Sequence, residues 1–142
     1  MVTEERTARL LGVFDKLSVI LASVASLAGD LSITKLELLA LDPIYKAGEL
    51  TMSKLAKGLG IGLSTATGIV DRMIEKKLVK RERNHGDRRI VRVALTEKGK
   101  KIALAYQKQR KEALEKMLNV LSPQEQQSFI LILEKIAGTQ PE

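Results

Sequence analysis

Apolar positions recur at steps of three and four along most of this chain, the spacing that gathers them on one face of an α-helix. Between Thr3 and Ala28 the recurring positions are Leu10, Phe14, Leu17, Leu21, Val24 and Leu27. Gly29 follows, at the place of a left-handed C-terminal cap. Thr34 and Glu37 form a capping box ahead of Leu38, Leu39, Leu41 and Ile44, so a second helix is predicted to start there and stop near Gly48. Pro43 falls inside it, where a missing N–H and a bulky ring should kink or weaken it. Thr51 can cap a short third helix from Met52 to Lys57, and after Gly58-Leu59-Gly60 a fourth is predicted from Leu63 to Lys77.

The period then changes. Val91, Val93 and Leu95 alternate with Arg92, Ala94 and Thr96, as in a half-buried strand. Val79 to Arg83 is its predicted partner, with Asn84-His85-Gly86-Asp87 supplying turn residues between them. From Glu97 helical spacing returns along Ile102, Tyr106, Gln109, Ala113, Met117 and Val120. Ser122, Pro123 and Glu125 open a last helix, which carries Phe129, Ile132, Leu133 and Ile136 and ends at Gly138. The predicted order is four helices, a hairpin and two helices, a mainly α chain with a small β-hairpin (α+β).

Composition narrows the chemistry. The 142 residues are 44% hydrophobic but only 3% aromatic, so one compact domain with appended helices can form around an aliphatic core. The absence of Cys removes disulfides, thiolate nucleophiles and cysteine-based redox sensing. His85 is the single histidine, too little for a zinc site. With no Ser/His/Asp set and no Gly-rich phosphate loop, neither an enzyme nor a resident cofactor is expected. The 12-residue apolar run from Leu17 to Ala28 follows Arg6 and Arg9, as in a signal peptide. Glu4, Glu5 and Asp15 occupy the region that should then be basic, and the run falls short of the roughly 20 residues that span a bilayer. A cytoplasmic protein without a membrane partner is expected.

Charge locates the function. The formal net charge is +7, yet residues 1–50 carry five basic and seven acidic side chains. Residues 72–92 carry nine basic against three acidic ones, so 21 residues hold most of the excess. Such a patch suits a polyanion, although a basic run can also be a solvated face. What favours the polyanion is its position beside a helix-turn-helix pattern from Met52 to Asp71. Leu55 and Leu59 are spaced to face a core, Ala56 is small where two helices cross, and Gly60 suits the turn. Ile61, Ala66 and Ile69 then form the inner side of the second helix, which could enter a major groove.

Ser64, Thr65, Thr67 and Gly68 face outward on that helix, followed by Arg72 and Lys76. Hydroxyls suit bases, thymine methyls and phosphates, and Arg and Lys suit phosphates or guanine, although Ser and Thr also decorate ordinary amphipathic helices. Arg88 and Arg89 sit near the hairpin tip, where an arginine arm can enter a minor groove. Asp87 beside them either orients one arginine through a bidentate pair or simply initiates the turn. The candidate DNA-binding residues are therefore Ser64, Thr65, Thr67, Arg72, Lys76, Asp87, Arg88 and Arg89.

Two blocks resemble the MarR family of bacterial regulators. One is the helix from Leu63 to Met73; the other runs from Asp87 through Arg89, the alternating strand, and Leu95-Thr96 to Gly99. The resemblance implies a winged helix-turn-helix over residues 34–96 and a homodimer held by the helices of 1–33 and 97–142. It further implies a repressor on double-stranded DNA, released by a small anionic or phenolic effector. Thr67 would face the groove, and Arg89, supported by Asp87, would reach the minor groove. Asp42, Pro43 and Tyr45 lie near where the family binds effectors, although Tyr45 could equally be ordinary core. Two positions depart from the pattern: Gly68 stands where the family often has Arg, and Lys77 where it usually has Gly before the first wing strand. A winged helix used for protein–protein interaction is the rival reading.

Overall fold

The computed structural model describes residues 1–26, 32–83, 86–87 and 89–139, with backbone alone for 21–26. In chain order the elements are α1 (Glu4–Ser26), α2 (Lys35–Ala47), β1 (Glu49–Thr51), α3 (Met52–Leu59), α4 (Leu63–Glu75), β2 (Val79–Arg83), β3 (Val91–Leu95), α5 (Glu97–Asn119) and α6 (Pro123–Ala137). Two compact units divide within α5, one covering Met1–Gln109 and the other Arg110–Glu142. The predicted cap at Gly29 lies outside the described residues.

In the first unit α2, α3 and α4 pack with the sheet around an aliphatic core. Leu38, Leu41 and Ile44 of α2, Leu55 of α3, and Ile69, Val70 and Met73 of α4 are fully buried with Leu78 and Val93. Tyr106 is the one aromatic side chain in that core among the described residues. The helix over Pro43 continues to Ala47. Proline there removes only one backbone donor, while Leu41 and Ile44 on either side are fully buried. Tyr45 is 37% exposed and does not belong to the core.

The sheet has three strands, not the expected two, in the order β1-β3-β2. Leu50 pairs with Val93 and Thr51 with Arg92. A strand of three residues is too short for alternation to announce it, and it exists because β3 offers an edge. The hairpin register matches expectation, from Val79 opposite Leu95 to Arg83 opposite Val91.

Helix α4 ends at Glu75, two residues before the expected Lys77. Lys77 takes a φ of 61°, a left-handed conformation that disfavours any side chain with a Cβ. The chain reverses there because the start of α5 clamps residues 76–78. The Thr96 hydroxyl lies 2.6 Å from the Lys77 carbonyl, the Thr96 N–H donates to Leu78 at 3.0 Å, and Lys98 Nζ donates to the Lys76 carbonyl at 3.1 Å. Thr96 also accepts the Gly99 N–H at 3.1 Å, capping α5.

In the second unit, the Ser122–Glu125 capping box opens α6 as predicted. The Glu125 carboxyl is held below the usual carboxylate range by the Ser122 backbone N–H and hydroxyl. Val120 falls beyond the last turn of α5 and is 83% exposed, so the predicted α5 stripe stops short of it. No α6 residue is buried, and Ile132, Leu133 and Ile136 are exposed within this single chain, as are Leu10 and Phe14 of α1.

Candidate nucleic-acid interface

The turn between α3 and α4 fixes the recognition helix. Gly60 closes α3 in the left-handed region at φ 67°, with its N–H on the Lys57 carbonyl and that of Ile61 on Ala56. Leu55 and Ala56 are buried on one side of the turn, and Ala66 and Ile69 on the other. Ser64, Thr65 and Thr67 are left exposed, as their spacing predicts. Leu63, at the helix start, is also exposed, at 54%. Thr67 Oγ1 donates to the Leu63 carbonyl at 2.9 Å. With its proton so engaged, Thr67 is suited to accept from a base amino group or to meet a thymine methyl, not to donate to phosphate.

Gly68 lies inside α4, and a Cβ built there meets nothing within 4 Å. Gly68→Ala is therefore expected to raise unfolding stability by about 1 kcal/mol through reduced chain entropy. A urea melt checks this, and a lowered midpoint would contradict the open space.

Arg72 and Lys76 meet a partner that periodicity could not reveal. Glu37, completely buried at the start of α2, accepts Lys76 Nζ at 2.7 and 2.9 Å. Arg72 Nε lies 3.6 Å from the same carboxylate, and the Thr34 N–H donates to it at 3.2 Å. Lys76 Nζ also donates to the Ser32 carbonyl. Its side chain is only 24% exposed, against 55% for Arg72. Lys76 thus differs from the outward placement expected of it, because the α2 N-terminus brings a carboxylate alongside the last turn of α4. Arg72 keeps more than half of its side chain exposed to solvent.

The wing is similarly braced. Arg81 of β2 pairs with Asp71 of α4, and Arg92 of β3 with Glu49 of β1 at 3.3 Å. Lys80 pairs with Glu82 at 3.3 Å, so part of the basic excess is neutralised locally. Asp87 accepts the Arg89 backbone N–H at 2.9 Å and its side-chain Nε and Nη2 at 3.2 and 3.4 Å. Those backbone and side-chain bonds hold the Asp87 carboxyl below its ordinary range. The acid thus both makes the turn and orients the arginine, whose side chain is 92% exposed. Arg88 and His85 lie outside the described residues. Among the described residues no group of His, Cys, Asp or Glu could hold a metal ion, and no helix is long and apolar enough to cross a membrane.

A helix-turn-helix whose second helix exposes hydroxyls, backed by a three-stranded sheet with an arginine-bearing hairpin, defines a winged helix-turn-helix protein. Sequence comparison agrees, since the profile of the MarR family matches residues 33–91. The chain is 32% identical over 104 residues to YsmB, an uncharacterised HTH-type transcriptional regulator of Bacillus subtilis, covering 73% of this chain and 68% of that protein. It is 36% identical over 99 residues to YfiV of the same organism, an uncharacterised regulator of the same type, covering 70% of this chain and 61% of YfiV. The match thus spans less than two thirds of the YfiV length. Among solved structures, Streptococcus pneumoniae FabT in complex with DNA superposes with a TM-score of 0.83 at 26% identity, covering 95% of this chain and 94% of that one. The chain belongs to the MarR family, and these relatives are transcriptional regulators rather than enzymes.

Proposed function

We propose that this chain is a sequence-specific regulator of transcription that binds double-stranded DNA as a homodimer on a pseudo-palindromic operator. Residues 34–96 form the DNA-binding part, and the helices of 1–33 and 97–142 the dimerisation region. The carrying observation is the pairing of an exposed Ser64-Thr65-Thr67 face on α4 with an Arg89 held outward by Asp87. Ser64, Thr65 and Thr67 would meet the major groove, Arg72 a flanking phosphate, and Arg89, with Arg88 beside it, the minor groove. The similarity to FabT, solved with DNA, supports the same reading. The exposed apolar side chains of α1 and α6 suit a dimer.

The regulator acts as a repressor released by a small anionic or phenolic effector, by resemblance to its family. Tyr45 is exposed three residues from Asp42, which is bonded to Gln107 and Lys46. This placement is compatible with an effector site there.

Titration onto duplex DNA at several salt concentrations tests the reading. Log K should fall with log salt by about 0.9 for each phosphate neutralised. Undetectable or salt-independent binding would overturn it in favour of a protein-interaction module. Arg89→Ala should weaken binding roughly tenfold, the scale of one lost groove contact, while sedimentation shows the same oligomer. A changed oligomeric state would instead make the wing a structural element.

A further inference from the structure

We propose that Glu37 is a positioning residue for DNA binding, whose buried carboxylate aims Arg72 and fixes α4, with Lys76 as its counter-charge and not a phosphate ligand. The inference rests on the DNA-binding reading above. Its observations are independent of any nucleic acid. Glu37 is 0% exposed and comes from α2, yet of its cationic partners Arg72 is on the last turn of α4 and Lys76 is the residue that caps that helix. Residues four apart on a helix share a face, so one carboxylate can take both.

The three roles differ by geometry. Lys76 gives Nζ to both oxygens of Glu37 and to the Ser32 carbonyl, which uses the donors of an ammonium within the protein. Arg72 comes no nearer to Glu37 than 3.6 Å, at Nε, and its side chain is 55% exposed, which keeps the guanidinium within reach of a phosphate. Glu37 also accepts the Thr34 N–H, so it is anchored to the start of its own helix and cannot swing toward solvent cheaply. A fixed acid therefore presets the direction of a guanidinium that would otherwise sample many rotamers, and binding then orders fewer side chains.

The test is DNA affinity measured across salt for the wild type, Glu37→Gln, Lys76→Met, Arg72→Gln and their pairs. The probe is a duplex selected by the wild-type protein from a randomised pool, and circular dichroism establishes that each variant is folded. Glu37→Gln should weaken binding several-fold without changing the salt slope, because no phosphate contact is lost. Arg72→Gln should reduce the slope by about one, and adding Glu37→Gln to it should cost little more. Lys76→Met should leave the slope unchanged; where it does not fold, the Glu37→Gln/Lys76→Met pair gives the same reading.

A slope reduced by about one in a Lys76 variant would make Lys76 a phosphate ligand and overturn the assignment. So would effects of Glu37→Gln and Arg72→Gln that multiply independently, since Glu37 would then act on stability alone. A wild type that selects no duplex at all brings down the DNA-binding reading itself, a result distinct from either.

Discussion

Replacing Gly99 by alanine is expected to cost at least about 3 kcal/mol of stability, a fall in melting temperature on the order of 10 °C. A Cβ on Gly99 would sit 2.0 Å from the Leu78 carbonyl oxygen and 3.0 Å from its carbon. The obstacle is backbone, so no side chain can rotate away to relieve it. Nor can Leu78 retreat easily: its side chain is fully buried and its carbonyl accepts the Thr96 N–H at 3.0 Å. The first turn of α5 and the start of β2 must therefore separate, taking with them the Thr96 contacts that turn the chain at Lys77. Because β2 carries Arg81, the partner of Asp71 on α4, the wing should loosen with it. Thermal and urea unfolding of Gly99→Ala beside Gly68→Ala makes the comparison, since the same added methyl meets nothing at Gly68. Equal stability in the two variants would contradict the close approach.

That clamp separates what is legible in the sequence from what is not. The Leu95-Thr96 to Gly99 block can be recognised as a family feature, but its reason lies in the Leu78 carbonyl some twenty residues earlier, visible only once the turn before β2 lies against the start of α5. Local chemistry reads well. The Thr34–Glu37 and Ser122–Glu125 boxes are short-range bonds between residues three apart, and both form. The β2–β3 register follows from alternation and turn residues within one hairpin. Strand β1 does not, since Glu49-Leu50-Thr51 is extended only through pairing with Arg92-Val93-Ala94. Periodicity places the end of α4 too late because a left-handed lysine gives no compositional sign, where a glycine at 77 would.

The site divides in the same way. Outward hydroxyls on α4 follow from helical period alone, and the Asp87–Arg89 pair spans two residues of sequence. Glu37 and Lys76 are far apart in the chain, and the capping box accounts for Glu37 so completely that nothing prompts a second role. One carboxylate serves both, with one oxygen within reach of the Thr34 N–H and both within reach of Lys76. Local sequence motifs can thus conceal a tertiary contact when a single side chain has enough lone pairs for both.

The second large effect comes from that buried acid. Lys76→Met is expected to lower unfolding stability by about 3 kcal/mol, the lower end for a buried pair broken by removing one partner. Methionine preserves the apolar stem of the lysine, so the loss comes from charge and not from a cavity. Arg72 remains near the carboxylate at 3.6 Å, which keeps the loss from being larger. Glu37→Gln alone should cost less, because a neutral amide at that position can still accept from Thr34, although it leaves the Lys76 ammonium, itself partly exposed, without its acid. Combining the two changes should recover stability relative to Lys76→Met, since the double variant buries no unpaired ion. Urea unfolding of all four proteins measures the coupling directly. Strictly additive losses would mean that the 2.7 Å contact contributes nothing net, and that α2 and α4 are held together by Leu38, Leu41, Ile69 and Met73 alone.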